Sequence, residues 1–595
     1  MNMLNPKNRK KTMKTFRLFS MAALALMMAA CSSEDNEILQ NTQQPGTMHF
    51  TATIAAPSGD ATTRTAYTED GTTINVKWKV GDKIALVHNG VVDEAEVKTV
   101  DDVTGKATIE ATITGSPLDN DDVTLAYPAN AVVSATPDYG FPFTPNPDIF
   151  DKVKHYQDGT LAYIQDNLDL RMGSGKLAVS GDKVTLKGSV SVSSLICIWK
   201  LTLQDNASTP LSATKLTFKN NTDTQAKATS TDGKSVYYLC VVPSFIPDAS
   251  GTFSFEATVG SDTYYYLKKN VTLAAGKYYQ STVKMAKPTD LSTISSDYQV
   301  KNGEVLTGTL ANEVKISIAD GATVMLDGIN INEEWDFDEG TSAGITCAGS
   351  ATIILAGKSK NTVNGLGCYY PGIYVPAGKT LTIMGTGSLE ASSGMSSYGY
   401  MYGAGIGGGA ADDNKNCGNI VIKGGTIDAT GGESDGGMGA GIGGSWGSCG
   451  NITISGGNVT AQGGDYSAGI GGGRGFEGAN GTCGDITISG GTVNATGGGR
   501  EASGAGIGSG CGQSCGNITI SGGTVTAEGG AGGSSAGAGI GGGSNNQACG
   551  VITITSGVTS VTATKGGDGA QSIGKGSDGK DITVNIEDGA NVTQN

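Results

Sequence analysis

The sequence predicts an all-β protein in two parts, an antiparallel β-sandwich region followed by a parallel β-helix solenoid. Three observations carry this. Residues 47–286 fall into short runs of alternating apolar and polar side chains rich in Val, Ile, Thr, Tyr and Phe, among them 48–56, 73–87, 215–220 and 253–259, separated by polar or Gly/Asp turns. From residue 298 onward glycine dominates and a unit of about 33 residues recurs. Each unit holds three β-like pieces of the kind "NITI", "TVTA" and "GAGIG", and within 47–286 no segment of helical period competes with the alternating runs.

The first part reads as one or two sandwiches, with the loop-like stretch 136–148 as a candidate divider. A short Pro/Ser/Thr linker at 287–297 separates it from the repeats. The repeat is Cys-Gly-(Asn/Asp)-Ile-x-Ile-x-Gly-Gly-x-(Val/Ile), a few small residues, then a Gly-Ala-Gly-Ile-Gly-Gly-like run. Its isoleucines are Ile406, Ile442, Ile470, Ile507, Ile540 and, in degenerate form, Ile573; Ile345 and Ile373 hold the equivalent place in two divergent turns upstream. Such a unit cannot bury its apolar face alone, so successive units must stack, one coil per repeat and about 4.8 Å apart. Ile, Val and Ala then form inward ladders, and glycine permits the corners.

The same periodicity disposes of a nucleotide reading. Gly403–Gly409, "GAGIGGG", matches the pattern of a dinucleotide loop, but that loop needs a strand before it and a helix after it. Here the glycines recur every coil with β-like flanks. Nucleic acid is excluded on charge: 40 Lys plus Arg against 56 Asp plus Glu leave a net charge of -16, which repels phosphate backbones. The three histidines, His49, His88 and His155, all lie in the first third, so no histidine-based triad or histidine metal ligand is available beyond residue 155.

The recurring cysteines Cys417, Cys449, Cys483, Cys515 and Cys549 occupy one position of the repeat. Structural zinc wants paired thiolates at close spacing, which only Cys511 and Cys515 approach. Disulfides between stacked coils are conceivable, yet the coil spacing exceeds the usual Cβ separation of about 3.5–4.5 Å. The expectation is therefore buried thiols acting as small apolar plugs.

The chain begins with basic residues (Lys7, Arg9, Lys10, Lys11, Lys14, Arg17) and an apolar run from Leu18 to Ala30, too short for a membrane-spanning helix and suited to a secretory signal peptide. Met28-Ala29-Ala30-Cys31 resembles a bacterial lipoprotein processing site, which implies cleavage after residue 30 and acylation of Cys31. The acidic stretch at 31–46 then reads as a tether, similar to those that send lipoproteins of Bacteroidota to the outer face of the outer membrane; a periplasm-facing lipoprotein is the alternative. Within 47–286, "TTRTAY" at 62–67, "WKVGDKIALV" from Trp78 to Val87 and "AGKYYQSTVKM" at 275–285 resemble the fimbrillin-type lipoproteins of Bacteroidota. The resemblance implies two transthyretin-like sandwiches, a role as pilus or stand-alone surface protein, fimbrial subunits as partners, and proteolytic processing at Arg64.

Residues 298–595 resemble the β-helical carbohydrate-binding domains of bacterial surface proteins, some of which bind polysaccharide with calcium. Sugar binding needs ring faces for stacking and polar groups for orientation. Candidates are Tyr369, Tyr370, Tyr398, Tyr400, Tyr402, Trp446 and Tyr466, with Tyr374 and Phe476 nearby in the repeats. Alternation places Tyr398, Tyr400 and Tyr402 on one face of an extended segment. The alternative is that these aromatics buttress loops. For calcium the candidates are Asp336, Asp338 and Glu339 of the run "NEEWDFDEG", a composition that suits calcium but lacks EF-hand spacing.

Catalysis is not expected. A lyase on this fold needs basic residues beside a calcium–carboxylate site and a glycosidase needs a carboxylate pair, whereas 403–595 holds only Arg474 and Arg500 as arginines and scatters its carboxylates. The sequence thus points to a non-enzymatic, lipid-anchored surface protein of the outer membrane that binds polysaccharide or a host or bacterial surface glycan. A pilus tip or accessory subunit and a polysaccharide-degrading enzyme are the alternatives. If the acidic run holds calcium, a calorimetric titration with Ca²⁺ gives saturable heat that Asp336→Asn removes; a titration without heat ends that reading.

Overall fold

The computed structural model describes the chain from Met48 to Asn595, apart from 57–60, 64–67, 71–72, 139, 221–222, 247–251, 270, 313, 333–341, 358, 396–399, 412, 433–437, 475–481, 501 and 533–534. Cys31, Arg64, Asp336, Asp338, Glu339 and Tyr398 lie outside the described residues, as do the leader at 1–30 and the tether at 31–46. Nearly all the regular elements described are β-strands, joined by turns and loops.

In the first sandwich-like unit, Met48–Ile54 pairs antiparallel with Ala107–Ile113, and the sheet continues through Val91–Val100, Lys83–His88, Asp122–Tyr127 and Arg171–Ser180. Lys183–Leu186 pairs with both Met48–Ile54 and Arg171–Ser180, so the hydrogen bonding closes into a circuit. The W-x-x-G-D-x-I element has a local cause. Trp78 is buried against Tyr127 and donates through Nε1 to the Ala55 carbonyl at 2.9 Å. Gly81, at φ +93, turns the chain into the strand beginning at Lys83, and the Asp82 carboxylate accepts from the Lys79 amide at 2.8 Å.

Two short α-helices, Pro147–His155 and Leu161–Asn167, interrupt the strands where no helix is expected from the sequence. Their caps explain them: the Asn146 side chain accepts from the Asp148 amide with Pro147 at the first helical position, and Thr160 Oγ1 accepts from the Tyr163 amide. Two turns are too few for a 3.6-residue period to stand out, and Ile149, Val153 and Ile164 bury against Leu168, Ile196, Ile198 and Val242. The stretch 136–148 does not divide two sandwiches, because Arg171–Ser180 returns to the first sheet after the helices. The second sandwich packs the three strands Val236–Val241, Cys197–Gln204 and Tyr278–Lys284 against the four strands Asp223–Lys234, Ala213–Asn220, Thr252–Val259 and Asp262–Lys269, around Trp199, Phe218, Phe253 and Phe255.

The remainder is a parallel β-solenoid. Ile345, Ile373, Ile406, Ile442, Ile470, Ile507, Ile540 and Ile573 stand in one column, each paired with the next. Two further columns, Ile420/Ile452/Ile486/Ile518/Ile552 and Ile422/Ile454/Ile488/Ile520/Ile554, come from the "NITI" pieces, and Val459/Val493/Val525/Val561 with Ala461/Ala495/Ala527/Ala563 come from the "TVTA" pieces. All of these residues belong to one continuous buried core. On the outside, the Asn419, Asn451, Asp485 and Asn517 side chains each accept from the backbone amide at the same position one coil later, at 2.7–2.9 Å, which accounts for the Asn/Asp of the repeat.

The solenoid begins within the Pro/Ser/Thr stretch: Thr289–Asp290 pairs with Val305–Thr309, and Leu291 is buried in the solenoid core. Tyr265 and Leu267 of the second sandwich pack on the outward column Met325/Ile354/Met384, and the Tyr265 hydroxyl donates to Asp327 at 2.8 Å. Burial beside that carboxylate raises the Tyr265 pKa.

The cysteines depart from expectation. Cys515 and Cys549 on adjacent coils form a disulfide, their Cα atoms 4.3 Å apart. The coil spacing is an average backbone separation, and at this corner the coils meet as an isolated parallel bridge that brings the Cα atoms closer. Cys417, Cys449 and Cys483 are buried thiols.

One column admits only glycine. Gly407, Gly443, Gly471, Gly508, Gly541 and Gly574 all have φ between +128 and +140, and a Cβ on Gly471 would overlap the Gly508 carbonyl. Gly471→Ala should therefore lower stability by about 2–4 kcal/mol, whereas Thr487→Ala on the outer face should stay within about 0.5 kcal/mol, as read from unfolding midpoints.

Candidate functional site

The solenoid core is uniform, so what distinguishes one coil from another is its loops. In three consecutive coils, those of Ile373, Ile406 and Ile442, the loops carry aromatic residues beside that isoleucine column: Tyr369, Tyr402 and Trp446. The backbone ties them together. The Tyr402 amide donates to the Cys368 carbonyl at 2.7 Å, Ser445 Oγ donates to the Tyr402 carbonyl at 2.5 Å, and the Ala410 amide donates to the Tyr369 carbonyl at 2.8 Å. Buried Asn414 braces the same loop, accepting from the Ala411 amide and donating to the Tyr369 carbonyl.

The rings form one cluster. Tyr402 stacks on Tyr369 (centroids 5.4 Å, planes 19° apart) and on Tyr400 (6.0 Å, 10°). Trp446 meets Tyr369 and Tyr402 edge-on at 6.2 and 6.1 Å. These are the offset-stacked and T-shaped geometries that the ring quadrupoles favour. Tyr369 and Tyr400 remain 38 % and 44 % exposed, while Tyr402 and Trp446 are half-buried beneath them. Partial burial raises the Tyr402 pKa, so its hydroxyl stays a neutral donor and acceptor at physiological pH.

Tyr400 and Tyr402 do share a face, as alternation predicts, but the rings spend part of their area on one another, which makes a compact ridge in place of a row of free faces. Tyr370 and Tyr374 take other roles. Tyr370 is half-buried, and the Tyr374 hydroxyl donates to the Asp413 and Asn416 carbonyls at 3.2 and 3.4 Å, with burial raising its pKa. Tyr466 is engaged by Arg474, whose guanidinium carbon sits 4.0 Å from the ring centroid. Asn414 and Ser445, which hold the cluster, carry no signal in the sequence; only their place in the loops identifies them.

The other polar centres are structural in their surroundings. His88 is buried with Nε2 2.9 Å from Asp93 Oδ2, and the Thr114 amide and hydroxyl donate to the same carboxylate. His49 contacts Thr51 Oγ1 and His155 contacts Asp151. Asp169 and Arg171 form a buried ion pair at 2.9 Å. A cavity of about 490 Å³ lies between Met48–Ile54 and the Arg171–Ser180/Lys183–Leu186 hairpin, lined by His49, Lys183 and small or aliphatic side chains. Among the described residues, no three His, Cys, Asp or Glu side chains converge as a metal site, and no helix is long and apolar enough to cross a membrane.

Fold and site together define a β-sandwich and β-solenoid protein with an aromatic ridge on its solenoid loops. The sequence matches the family described as Beta helix repeat at residues 420–446, 452–474, 486–511 and 518–544. No curated protein matches the chain in sequence. Among solved structures, it is similar to a fimbrial assembly protein from Parabacteroides distasonis (10% identity, 41% of this chain and 93% of that one, TM-score 0.26). It is also similar to a candidate cell adhesion protein from Bacteroides eggerthii (12% identity, 41% and 88%, TM-score 0.23) and to a fimbrial protein from Bacteroides ovatus (13% identity, 40% and 51%, TM-score 0.21). These three neighbours are named as fimbrial and adhesion proteins, at scores that carry no argument about activity.

The ridge has a centre and a rim. Tyr402→Ala removes contacts with three rings and should cost about 1–3 kcal/mol, while Tyr400→Ala at the edge should cost less than about 1 kcal/mol, as measured by chemical denaturation. Equal costs would mean that the four rings do not pack as a unit.

Proposed function

We propose that this chain is a non-enzymatic cell-surface protein that binds polysaccharide, with the ridge of Tyr369, Tyr400, Tyr402 and Trp446 as the contact. The observation that carries the reading is the convergence of four aromatic rings from three adjacent coils at a partly exposed position, braced from below by Asn414 and Ser445. The outer two rings stay open to solvent and are grouped with the inner pair in one patch instead of being scattered singly. A sugar ring offers a C–H face that packs on such aromatic surface, and the tyrosine hydroxyls and loop carbonyls supply hydrogen bonds for orientation. The histidines are all committed to contacts in the N-terminal part, which supports a binding role over an acid–base one.

In this reading acylated Cys31 holds the chain on the outer membrane, the sandwiches serve as its stalk, and the ligand is a glycan of the host or of neighbouring bacteria. Calcium at Asp336, Asp338 and Glu339 is a separate element, tested by adding chelator to the same assay.

The full chain should retain a subset of plant, host or microbial polysaccharides in affinity electrophoresis. Tyr369→Ala and Tyr400→Ala, which leave the inner pair in place, should each weaken retention about tenfold or more without shifting the unfolding midpoint by more than a few degrees. Retention unchanged in both variants removes the ridge as the site; release of reducing ends from a retained glycan would show an enzyme instead.

A further inference from the structure

The five repeat cysteines stand on successive coils at one corner of the solenoid. One adjacent pair, Cys515 and Cys549, is joined. At the other end of the row, the Cys417 and Cys449 sulfurs lie 2.9 Å apart, inside ordinary non-bonded contact and within about 1 Å of the bonded length of about 2.05 Å. The two pairs share one surrounding, although the parallel backbone bridge seen at Cys515 and Cys549 is here made by Cys449 with Cys483. Cys417 Sγ faces the carbonyl of Gly443 at 3.3 Å and Cys515 Sγ faces that of Gly541 at 3.8 Å, in each case the corner glycine 26 residues further along the chain. Five cysteines hold at most two pairs, and these two leave Cys483 between them as the odd thiol.

We propose that Cys417 and Cys449 form a second inter-coil disulfide, so that the corner carries two cross-links flanking a free Cys483. The step is an exchange with an external protein or small-molecule disulfide. One cysteine thiolate attacks it and releases the first thiol, giving a mixed disulfide; the second cysteine then displaces the other thiol. The external disulfide takes up both electrons and both protons, and one S–S bond forms for the one that breaks. Cys417, Cys449 and Cys483 are all buried in the folded solenoid. Contact with its neighbouring thiols, together with burial, raises the Cys449 pKa well above that of an ordinary thiol. An external disulfide therefore reaches the pair while the coils are stacking, and after closure buried Cys483 is out of reach of a further external disulfide.

Trypsin separates the relevant residues: Cys417 falls in 416–423, Cys449 in 424–474, Cys483 in 475–500, and Cys511, Cys515 and Cys549 together in 501–565. The full chain is isolated from its own cells without reductant, denatured in the presence of a maleimide, digested and weighed by mass spectrometry. The expected result is peptide 416–423 linked to 424–474, with the maleimide on Cys483. In Cys483→Ala the same linked peptide should persist, and in Cys449→Ala the maleimide should appear on Cys417 as well as on Cys483. Reductant added before denaturation should leave the link intact, and reductant added afterwards should release it. Maleimide on both Cys417 and Cys449 of the wild-type chain overturns the proposal whatever the state of 501–565, as does a link between 424–474 and 475–500.

Discussion

One coil of this solenoid has a single apolar stripe and no way to cover it except with the next coil. Everything in residues 298–595 follows from that dependence. Stacking in strict register buries each Ile, Val or Ala under its own counterpart, so the columns at Ile406, Ile420, Ile422, Val459 and Ala461 are built from nearly identical residues. Register also lets a side-chain oxygen such as Asn419 Oδ1 meet the same backbone amide on every coil. The corner must admit two backbones at once, which only glycine allows at Gly471 and its equivalents. Hydrogen bonds, packing and backbone freedom therefore select the same spacing, and a change in any one is felt by the other two.

A core so repetitive cannot encode a site, because a site needs residues that differ from their neighbours. Individuality is confined to the loops between the rungs, and the stacking brings loops far apart in sequence side by side. Tyr369 and Trp446 are 77 positions apart yet in ring contact, for no reason beyond two coils of stacking. At the other face, the outward column Met325/Ile354/Met384 is apolar where later coils carry polar residues, and the second sandwich covers it through Tyr265 and Leu267. The same kind of position thus serves as a joint in the early coils and as solvent-facing surface in the later ones.

The repeat was legible because its signal is redundant: eight isoleucines spaced 28 to 37 residues apart, each in a similar glycine-rich setting, announce a column. The alternating runs of the sandwiches were legible for the same reason. What escaped was local or three-dimensional. Pro147–His155 and Leu161–Asn167 are too short for a period and rest on the caps of Asn146 and Thr160. The Cys515–Cys549 bond depends on how closely two corners approach, which average coil spacing misjudges. The tyrosines could be chosen by type, but whether Tyr466 joins Tyr402 or pairs with Arg474 is decided by loop paths that no periodicity encodes.

Register carries a further consequence, for heredity. Residues 451–457 and 517–523 are the same seven amino acids, Asn-Ile-Thr-Ile-Ser-Gly-Gly, two coils apart. An in-frame exchange between their coding stretches deletes or duplicates two whole coils and rejoins every inward column without a mismatch. The loops bearing Tyr369, Tyr400, Tyr402 and Trp446 all lie upstream of that junction. Lineages can therefore lengthen or shorten the array by recombination while inheriting the aromatic ridge unaltered.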